Sequence, residues 1–360
     1  MRKRLLLSTL ALVVAAQAHA DVKVGGAFRL NYAWKDYDQI NKDKGGNWDI
    51  ELFRIDVNGD DGNWFYSAQY RWYKGFEAIH HAYVGYKFDE NRNIKVGVTK
   101  VPFGLLPVAS HGFWFGGTYY LGLEDDYDTG IVYQQKDGDW LFHAGYFKND
   151  EYSNGSRYDR YSFDLAGVNG SRADENGQIN LRAEKTLHFA GSRLKLGASG
   201  QFGQLYRYDH HSHDNRWAGA VHADWKTDSG YQVQLQEIHY DYSTGTNTVD
   251  MSAFQYPFPV AAKADVVSFN LAKTFTVNND FVDTVTCYND HTQILASGDG
   301  VDNSIQNVTG CMLAKGGLYT YVDWIAGKNM WFAGGNGIGV ASPTNNGWHS
   351  RLNINIGFYF

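Results

Sequence analysis

The chain has 360 residues with a formal net charge of -7, and 16% of its residues are aromatic. Its mean hydropathy is -0.44, and after the first segment it contains no apolar run of roughly 18 residues, so a helical membrane protein is excluded. Gly is plentiful at 40 residues and Pro is scarce at 5, as expected for long strands whose backbone donors must stay available.

The start of the chain has the pattern of a secretion signal. Arg2 to Arg4 give a positive beginning, Leu5 to Ala16 an apolar segment, and Ala18-His19-Ala20 a cleavage site of the Ala-x-Ala type. The apolar segment is shorter than the about 20 residues of a membrane-spanning helix. We therefore expect residues 1–20 to be a cleaved signal peptide. Residues 21–360 then form one domain, whose charge is -10 because three cations are lost.

Strand-like segments recur along the rest of the chain, and their connections alternate between short and long. The seven short connections, most of them rich in the Gly, Asn and Asp of tight hairpins, are 59–62, 89–93, 136–139, 188–192, 227–230, 277–280 and 326–329. The eight longer ones are 35–46, 74–77, 101–127, 149–176, 208–214, 244–262, 292–310 and 335–347. Fifteen connections predict sixteen strands, and an even count places both termini on the periplasmic side.

The strands show the period of two that one lipid-facing and one polar face produce. In the third predicted strand, one face is formed by Trp64, Tyr66, Ala68, Tyr70 and Trp72. The fold class predicted is all-β, a transmembrane antiparallel up-and-down barrel. Eighteen strands remain an alternative, because the loop 149–176 contains a strand-like segment at 158–165 and residues 328–335 are a weak fifteenth strand. A large soluble β-sandwich or β-helix has a similar composition.

The chain ends on a strand whose one face is wholly apolar, formed by Leu352, Ile354, Ile356, Phe358 and Phe360. Termini of soluble proteins usually fray, so an aromatic core residue at the last position is unusual for them. The ending resembles that of bacterial outer-membrane proteins, in which a C-terminal Phe after alternating apolar residues directs barrel assembly. The resemblance implies that Phe358 and Phe360 are an assembly signal read by the barrel-assembly machinery.

The end of the fifth predicted strand carries the sequence Lys100-Val101-Pro102-Phe103-Gly104. It resembles the K-x-P-F-G start of the third loop in the phosphate-selective porin O/P group, and general trimeric porins have a similar P-x-F-G. In both groups this loop folds into the barrel and narrows it. The resemblance therefore implies a Gram-negative outer-membrane porin, expected as a homotrimer, whose third loop at 101–127 folds into the lumen.

The charges of the third loop differ from those of a phosphate channel, since no Lys or Arg lies between Lys100 and Lys136. Its acids, expected at the pore constriction, are Glu124, Asp125, Asp126 and Asp128. The period of two predicts a basic pore wall formed by Arg29, Arg54, Arg71, Lys95 and Arg351. A basic wall opposite an acidic loop sets up a transverse field. The alternative is that these charges only solvate a water-filled lumen, and the loop aromatics either pack the loop or stack on sugars.

The cysteines, the histidines and the remaining motifs of the sequence say less about function. Cys287 and Cys311 fall opposite each other in a predicted hairpin and share the inward parity, and export to an oxidising compartment favours a disulfide. The histidines at 210, 211 and 213 have metal-binding spacing, but a solvated loop is preferred and no metal site is predicted. His80 and His81 are expected on opposite faces of one strand. No catalytic set or phosphate-binding loop is found, so no enzyme is expected.

These observations predict an outer-membrane porin that forms a water-filled channel for passive diffusion of small hydrophilic solutes and ions. The alternatives are a solute-selective porin, for sugars or small anions, and a non-conducting structural or adhesive barrel. The expected partners are outer-membrane lipid, lipopolysaccharide and further copies of the chain, with no nucleic acid. No cofactor is implied.

Overall fold

The computed structural model describes residues 21–152, 158–333, 335–343 and 346–360, so the expected signal at 1–20 lies outside the described residues. Among the described residues, no helix is long and apolar enough to cross a membrane. The strands are β1 (Asp21–Lys35), β2 (Asn47–Asp61), β3 (Trp64–Tyr73), β4 (Glu77–Lys87), β5 (Arg92–Lys100), β6 (Tyr127–Asp137), β7 (Trp140–Asn149), β8 (Asp164–Val168), β9 (Ser171–Phe189), β10 (Ser192–Arg207), β11 (Ser212–Thr227), β12 (Tyr231–Ser243), β13 (Thr248–Ala253), β14 (Tyr256–Ala261), β15 (Lys263–Thr276), β16 (Thr284–Ala296), β17 (Ser304–Lys315), β18 (Leu318–Lys328) and β19 (Trp348–Tyr359). The first loop contains the helix α1 (Gln39–Asp43), and two 3₁₀ turns lie at Tyr119–Leu121 and Trp331–Ala333.

Sixteen of these strands form one closed antiparallel barrel, which confirms the predicted fold. Each strand pairs with its neighbours along the chain, except that β7 pairs with β9 and β12 with β15. The strands between them, β8, β13 and β14, form a small separate sheet in the extracellular loops. The strand-like segment at 158–165 thus contributes the start of β8 to this loop sheet and does not add strands to the barrel.

The barrel closes where the first and last strands meet. β1 and β19 pair from Ala27 opposite Tyr359 to Lys35 opposite Arg351. The last residue takes part, because the Gly26 N–H donates to the Phe360 carbonyl at 2.9 Å and the Phe360 N–H donates to the Gly26 carbonyl at 3.0 Å. No strand edge is left open at the seam, as a membrane-spanning sheet requires.

The two faces of the barrel wall follow the alternation of the sequence. Large apolar side chains are exposed on the outer face, including Phe358, which is 40% exposed, and Phe360, which is 62% exposed. Polar side chains of the inner face are buried under the inserted loops, as Asn353 and Asn355 are at 0% and 1% exposure. This inversion of a soluble protein's pattern fits a barrel surrounded by lipid.

One predicted turn is wrong. The sequence predicts a short connection at 326–329, but the chain turns at Gly316 and Gly317, and residues 326–328 are the end of β18. The left-handed φ of +53° at Gly316 suits glycine in a two-residue hairpin. Residues 329–333 are therefore the start of the last extracellular loop and not a fifteenth strand. The strand count is unaffected, because one hairpin replaces another.

The two cysteines form a disulfide, but on the face opposite to the one expected. Cys287 and Cys311 are direct partners in the β16–β17 pair, and their sulfurs are bonded. Their neighbours Tyr288 and Asp290 are buried in the lumen, so the cysteines point outward. The inward parity was wrong because this strand pair carries polar residues on its outer face, which the alternation rule assigns to the lumen.

The expected separation of His80 and His81 is also wrong. A register shift between β3 and β4, at Gln69 and Tyr70, places an extra residue on β4. The two histidine Nδ1 atoms consequently lie 2.8 Å apart. Bulges of this kind change which face a residue occupies, and no local composition signal marks this one.

Candidate channel constriction

The third loop, residues 101–126, crosses the lumen instead of extending into solvent. It starts buried, with Val101, Phe103 and Leu105 each 4% exposed. Its backbone and side chains are hydrogen-bonded to wall strands between β10 and β18, in the pairs Gly104–Ser199, Leu105–Gln236, His111–Asp290, Trp114–Asp323, Phe115–Gln306 and Gly117–Thr292. The expected folding of this loop into the barrel is thus confirmed.

The strongest single anchor of the loop is Asp290 of β16. Its carboxylate accepts the His111 N–H at 2.6 Å and the Gly112 N–H at 3.2 Å, and the His111 Nδ1 lies 2.6 Å from it. The Asp290 side chain is fully enclosed. Hydrogen bonds to a buried charged acceptor are worth more than those between neutral groups, so Asp290 fixes the middle of the loop against the far wall.

Between the loop and the wall formed by β1, β2, β3 and β19 lies a cavity of about 720 Å³. Aromatic rings make up most of its lining. They come from the third loop (Phe113, Trp114, Phe115, Tyr119, Tyr120), from the other loops (Tyr37, Tyr161, Phe163, Phe254, Tyr256, Trp331, Phe332) and from wall strands (Tyr73, Tyr321, Tyr359). The lining of this cavity therefore combines charged groups with the apolar faces of aromatic rings.

Three arginines of the predicted basic wall meet in this cavity, although they are far apart in sequence. Arg29, Arg71 and Arg351 lie on β1, β3 and β19, which are brought together by barrel closure. Each guanidinium lies over an aromatic ring, at 5.1 Å for Arg29 and Phe113, 4.3 Å for Arg71 and Tyr161, and 4.1 Å for Arg351 and Trp114. Stacking limits the positions that these long side chains can adopt.

The charges that line the cavity are predominantly positive. Lys35 adds a fourth cation to the three arginines, while Glu51 and Asp125 are the acids of the lining. Glu51 is paired with Arg29, with 2.6 Å between Arg29 Nε and Glu51 Oε2. Asp125 is paired with Lys100 and accepts a hydrogen bond from the Tyr161 hydroxyl at 2.5 Å. The cavity lining thus has two signs of charge and an excess of two positive charges.

Only one of the four loop acids expected at the constriction lines the cavity, namely Asp125. Glu124 is turned into the loop, where it accepts the Ala109 N–H and the Ser110 hydroxyl at 2.8 Å each and is also hydrogen-bonded by Thr118. Burial raises the pKa of the Glu124 carboxyl to about 7. Glu124 is therefore a group that holds the loop together, which corrects its expected role in the pore.

Asp126 and Asp128 do not line this cavity either. They are 6% and 1% exposed and lie with Asp164 of β8, with the carboxylate oxygens of the three residues within 4.8 Å of one another. They occupy the space behind the root of the loop and do not face the cavity. Consecutive acids cannot all point one way, and here the loop sheet covers two of the four.

Two of the five expected wall cations also lie outside this cavity. Arg54 is paired with Asp56 at 3.2 Å and lies over Tyr359 at 5.0 Å. Lys95 borders a separate cavity of about 280 Å³ behind the start of the third loop. A cationic side chain must therefore point into the barrel to line this cavity, but that alone does not suffice, because the inserted loop divides the lumen.

The sequence reasoning missed Glu51, Lys35 and the rings that the fourth, sixth and eighth loops contribute. Glu51 sits where the β1–β2 register shifts, between Arg29 and Leu30, and no sequence signal marks that bulge. The loop rings had a detectable signal, since Trp331 and Phe332 are adjacent large aromatics in a connection otherwise rich in Gly and Asn. Such pairs are unusual in solvated loops.

A closed barrel of sixteen strands with a folded-in loop and a charged lumen has the architecture of an outer-membrane channel. A model of the family described as phosphate-selective porin O and P matches residues 22–172. A comparison with curated proteins found no significant match.

Solved structures resemble the chain over nearly its whole length, at low identity. The outer membrane channel DcaP of Acinetobacter baumannii is 13% identical with a TM-score of 0.61, and the match covers 96% of this chain and 99% of that one. OmpF of Salmonella typhi, solved with daunomycin, is 12% identical with a TM-score of 0.62, covering 94% and 97%. OmpT of Vibrio cholerae in a trimer form is 10% identical with a TM-score of 0.56, covering 95% and 100%.

The chain resembles Gram-negative outer-membrane porins, of the O/P group and of the general type. The family match and the fold together support a channel for passive diffusion in the outer membrane.

Proposed function

We propose that this porin favours small hydrophilic solutes that carry negative charge, and that its constriction is the cavity between the third loop and Arg29, Arg71 and Arg351. The observation that carries the proposal is the charge of the lining, four cations against two acids. A solute carboxylate or phosphate passing this point meets guanidinium groups held in place by stacked rings. Arginine is well suited to such oxyanions, because its fork of donors matches two oxygens at once.

The net charge of -10 over residues 21–360 would by itself favour cations, so the proposal depends on charges near the permeating ion counting for more than the total. Ion selectivity depends on the charges nearest to the permeating ion, since exposed charges farther away than a Debye length of about 8 Å are screened at physiological salt. Most acids of the chain lie outside the cavity lining. The local excess of positive charge should therefore outweigh the negative total.

The proposal predicts anion selectivity for the wild-type channel. In a planar bilayer with a tenfold KCl gradient, the reversal potential should have the sign of chloride permeation, and organic anions such as succinate should reduce the chloride current in a concentration-dependent way. A cation-selective reversal potential would contradict the charge argument. A channel that conducts no current at all would instead support the non-conducting alternative.

A second candidate is a channel for neutral sugars, which the many aromatic rings of the lining favour. The two candidates differ in a simple measurement. A neutral disaccharide should block the current of a sugar channel at low concentration, whereas the proposed channel should respond to anions and remain open in the presence of the sugar.

We also propose that the mature protein begins after Ala20 and assembles as a homotrimer. The trimer is supported by the outer face of β16 and β17, where five uncharged polar side chains lie at mid-height: Asn289, His291, Gln293, Asn307 and Thr309. They are hydrogen-bonded to one another, for example from the Asn289 amide to Asn307 at 3.0 Å and to Thr309 at 2.7 Å. The outward residues of these two strands include no Phe, Tyr or Trp, unlike Phe269 and Trp324 on the flanking strands.

A polar face at this depth is costly against lipid, and contact with another copy of the chain would cover it. Replacing Asn289 and Asn307 together by Leu should therefore abolish most of the oligomer, measured by light scattering in detergent, while the barrel stays folded on unheated gels. Val221→Leu on β11, which is 55% exposed, is the matched control and should leave the oligomer intact. An unchanged oligomer in the double variant would mean that this face lies against lipid.

Lipopolysaccharide contacts and an assembly role of Phe358 and Phe360 stay predictions of the sequence.

A further inference from the structure

The carboxylates of Asp126, Asp128 and Asp164 converge behind the root of the third loop, at the extracellular end of the barrel wall. Their oxygens lie within 4.8 Å of one another, and the side chains are 6%, 1% and 1% exposed. Asp126 ends the third loop, Asp128 is the second residue of β6 and Asp164 begins β8. Two segments that are separate in sequence, the loop root with two carboxylates and β8 with one, thus converge at a single buried point.

This cluster has too little positive charge to balance it. The acids that interact with Asp126, Asp128 and Asp164 are Glu175, Glu151 and Asp150, whereas the cations near them are Arg160 and Arg216. Arg160 is engaged by Asp150 at 2.7 Å and Asp164 at 3.1 Å, and Arg216 is paired with Glu175. The charge of Arg216 also acts on Asp126 and Asp128. Among the described residues, however, neither of these two acids forms a salt bridge with a cation.

A second observation points to a ligand at the same place. Asp126 Oδ1 and Asp128 Oδ1 are enclosed and accept no hydrogen bond from any described residue. Ser252 of β13 is the direct strand partner of Asp164, is 0% exposed, and its hydroxyl oxygen has no partner among the described residues either. Buried polar atoms are nearly always satisfied, so two unpaired carboxylate oxygens in the cluster, with an unpaired hydroxyl opposite Asp164, point to a bound group that the protein surrounds.

We propose that Asp126, Asp128 and Asp164, with the Ser252 hydroxyl, bind a hard divalent cation such as Ca²⁺. All the donor atoms are oxygens, which Ca²⁺ and Mg²⁺ prefer and softer metals do not. Ca²⁺–oxygen distances are about 2.3–2.6 Å, so oxygens on opposite sides of one ion are separated by about the observed spread. The flexible coordination of Ca²⁺ suits a mixed set of carboxylates and a hydroxyl better than the strict octahedron of Mg²⁺.

The alternative is that the acids retain protons. Burial, followed by the neighbouring Asp164 and Glu175 carboxylates, raises the pKa of the Asp126 carboxyl, and burial likewise raises the pKa of the Glu151 carboxyl. A bound cation lowers such pKa values and makes proton retention unnecessary. Divalent-cation dependence of the folded protein therefore distinguishes the two.

The site would fasten the root of the third loop to the loop sheet. Asp126 is covalently next to Asp125 of the cavity lining, and Asp164 and Ser252 belong to β8 and β13 of that sheet. Extracellular sites of this kind bind Ca²⁺ with Kd of about 0.1–1 mM. The inference does not depend on which solute the channel passes.

The test uses the full-length folded barrel in detergent, stripped with EDTA at pH 7. Isothermal titration of CaCl₂ into the wild type should reveal one site per chain, and 10 mM CaCl₂ should raise the unfolding temperature in a heat-modifiability series, whereas NaCl of equal ionic strength should not. Asp126→Asn with Asp128→Asn should lose both effects. The control Asp228→Asn with Asp280→Asn removes two exposed turn carboxylates and should retain them.

If the double variant does not fold, the titration of the wild type is compared with that of the single variant Asp126→Asn. This variant is expected to bind Ca²⁺ at least about tenfold more weakly. A wild type that shows neither heat of binding nor a shift in unfolding temperature with Ca²⁺ or Mg²⁺ would overturn the proposal. In that case the amide variants should be as stable as the wild type, because amides replace protonated acids.

Discussion

Replacing Arg29 and Arg71 together by Gln is expected to abolish the anion preference of the channel, and adding Arg351→Gln to make it cation-selective. The lining then has two cations against two acids in the double variant and one against two in the triple variant. Each guanidinium changes the energy of an ion passing within several ångströms by on the order of 1 kcal/mol. That corresponds to about a fivefold change in partitioning for each arginine removed.

The measurement is the reversal potential in a KCl gradient, taken at low ionic strength, where screening is weakest. Lys95→Gln is a suitable control, because Lys95 points into the barrel but borders the smaller cavity. A triple variant that folds normally and keeps the wild-type reversal potential would place the conduction path elsewhere. Removing Arg29 leaves Glu51 without its partner, so Arg29→Gln with Glu51→Gln is a useful variant in which the net charge is unchanged and selectivity should be kept.

Replacing Asp290 by Ala is expected to widen the channel. The Asp290 carboxylate accepts the backbone N–H groups of His111 and Gly112 and contacts the His111 ring, and hydrogen bonds to a charged acceptor contribute about 1.5–3 kcal/mol each. Without them the middle of the third loop should leave the far wall. Single-channel conductance should rise severalfold, and current noise should increase as the loop moves.

Asp290→Asn gives an intermediate case, because an amide oxygen still accepts hydrogen bonds but carries no charge. Its conductance should lie between those of the wild type and Asp290→Ala. Gln306→Ala, which removes one hydrogen bond to the Phe115 carbonyl at 2.6 Å, should have a smaller effect of the same sign. If conductance stays unchanged in a folded Asp290→Ala barrel, the remaining contacts alone hold the loop and the anchor assigned to Asp290 is wrong.

The barrel was predictable because its causes are local. The period of two along β3 and β19, the Gly and Asp residues of the hairpins and the apolar C-terminal face each follow from what one strand needs. The turn at Gly316 and Gly317 has the same kind of signal, a Gly-Gly pair. The segments on both sides of it are rich in apolar residues, however, so the pattern predicts one continuous strand and a turn farther along the chain.

The constriction was predictable only in part, because its geometry depends on contacts between distant segments. Arg29, Arg71 and Arg351 could be inferred from parity and from the fact that the ends of the chain meet. The positions of the Glu124 and Asp126 side chains could not be inferred. That of Glu124 depends on how the third loop folds on itself. That of Asp126 depends on β8, which lies about 40 residues farther along the chain. The outward polar face of β16 and β17 reversed the parity rule, which assumes that every outward residue meets lipid.

The hydrogen bonds of the third loop also constrain the order in which the protein can mature. His111 and Asp290 are separated by 179 residues, and Trp114 and Asp323 by 209. The loop is synthesised long before the strands that hold it, and loop-closure entropy opposes such distant contacts until the intervening chain is ordered. A barrel that lacks β16 to β18 also lacks the partners that hold the middle of the third loop. We therefore expect this loop to reach its final position only after those strands have formed.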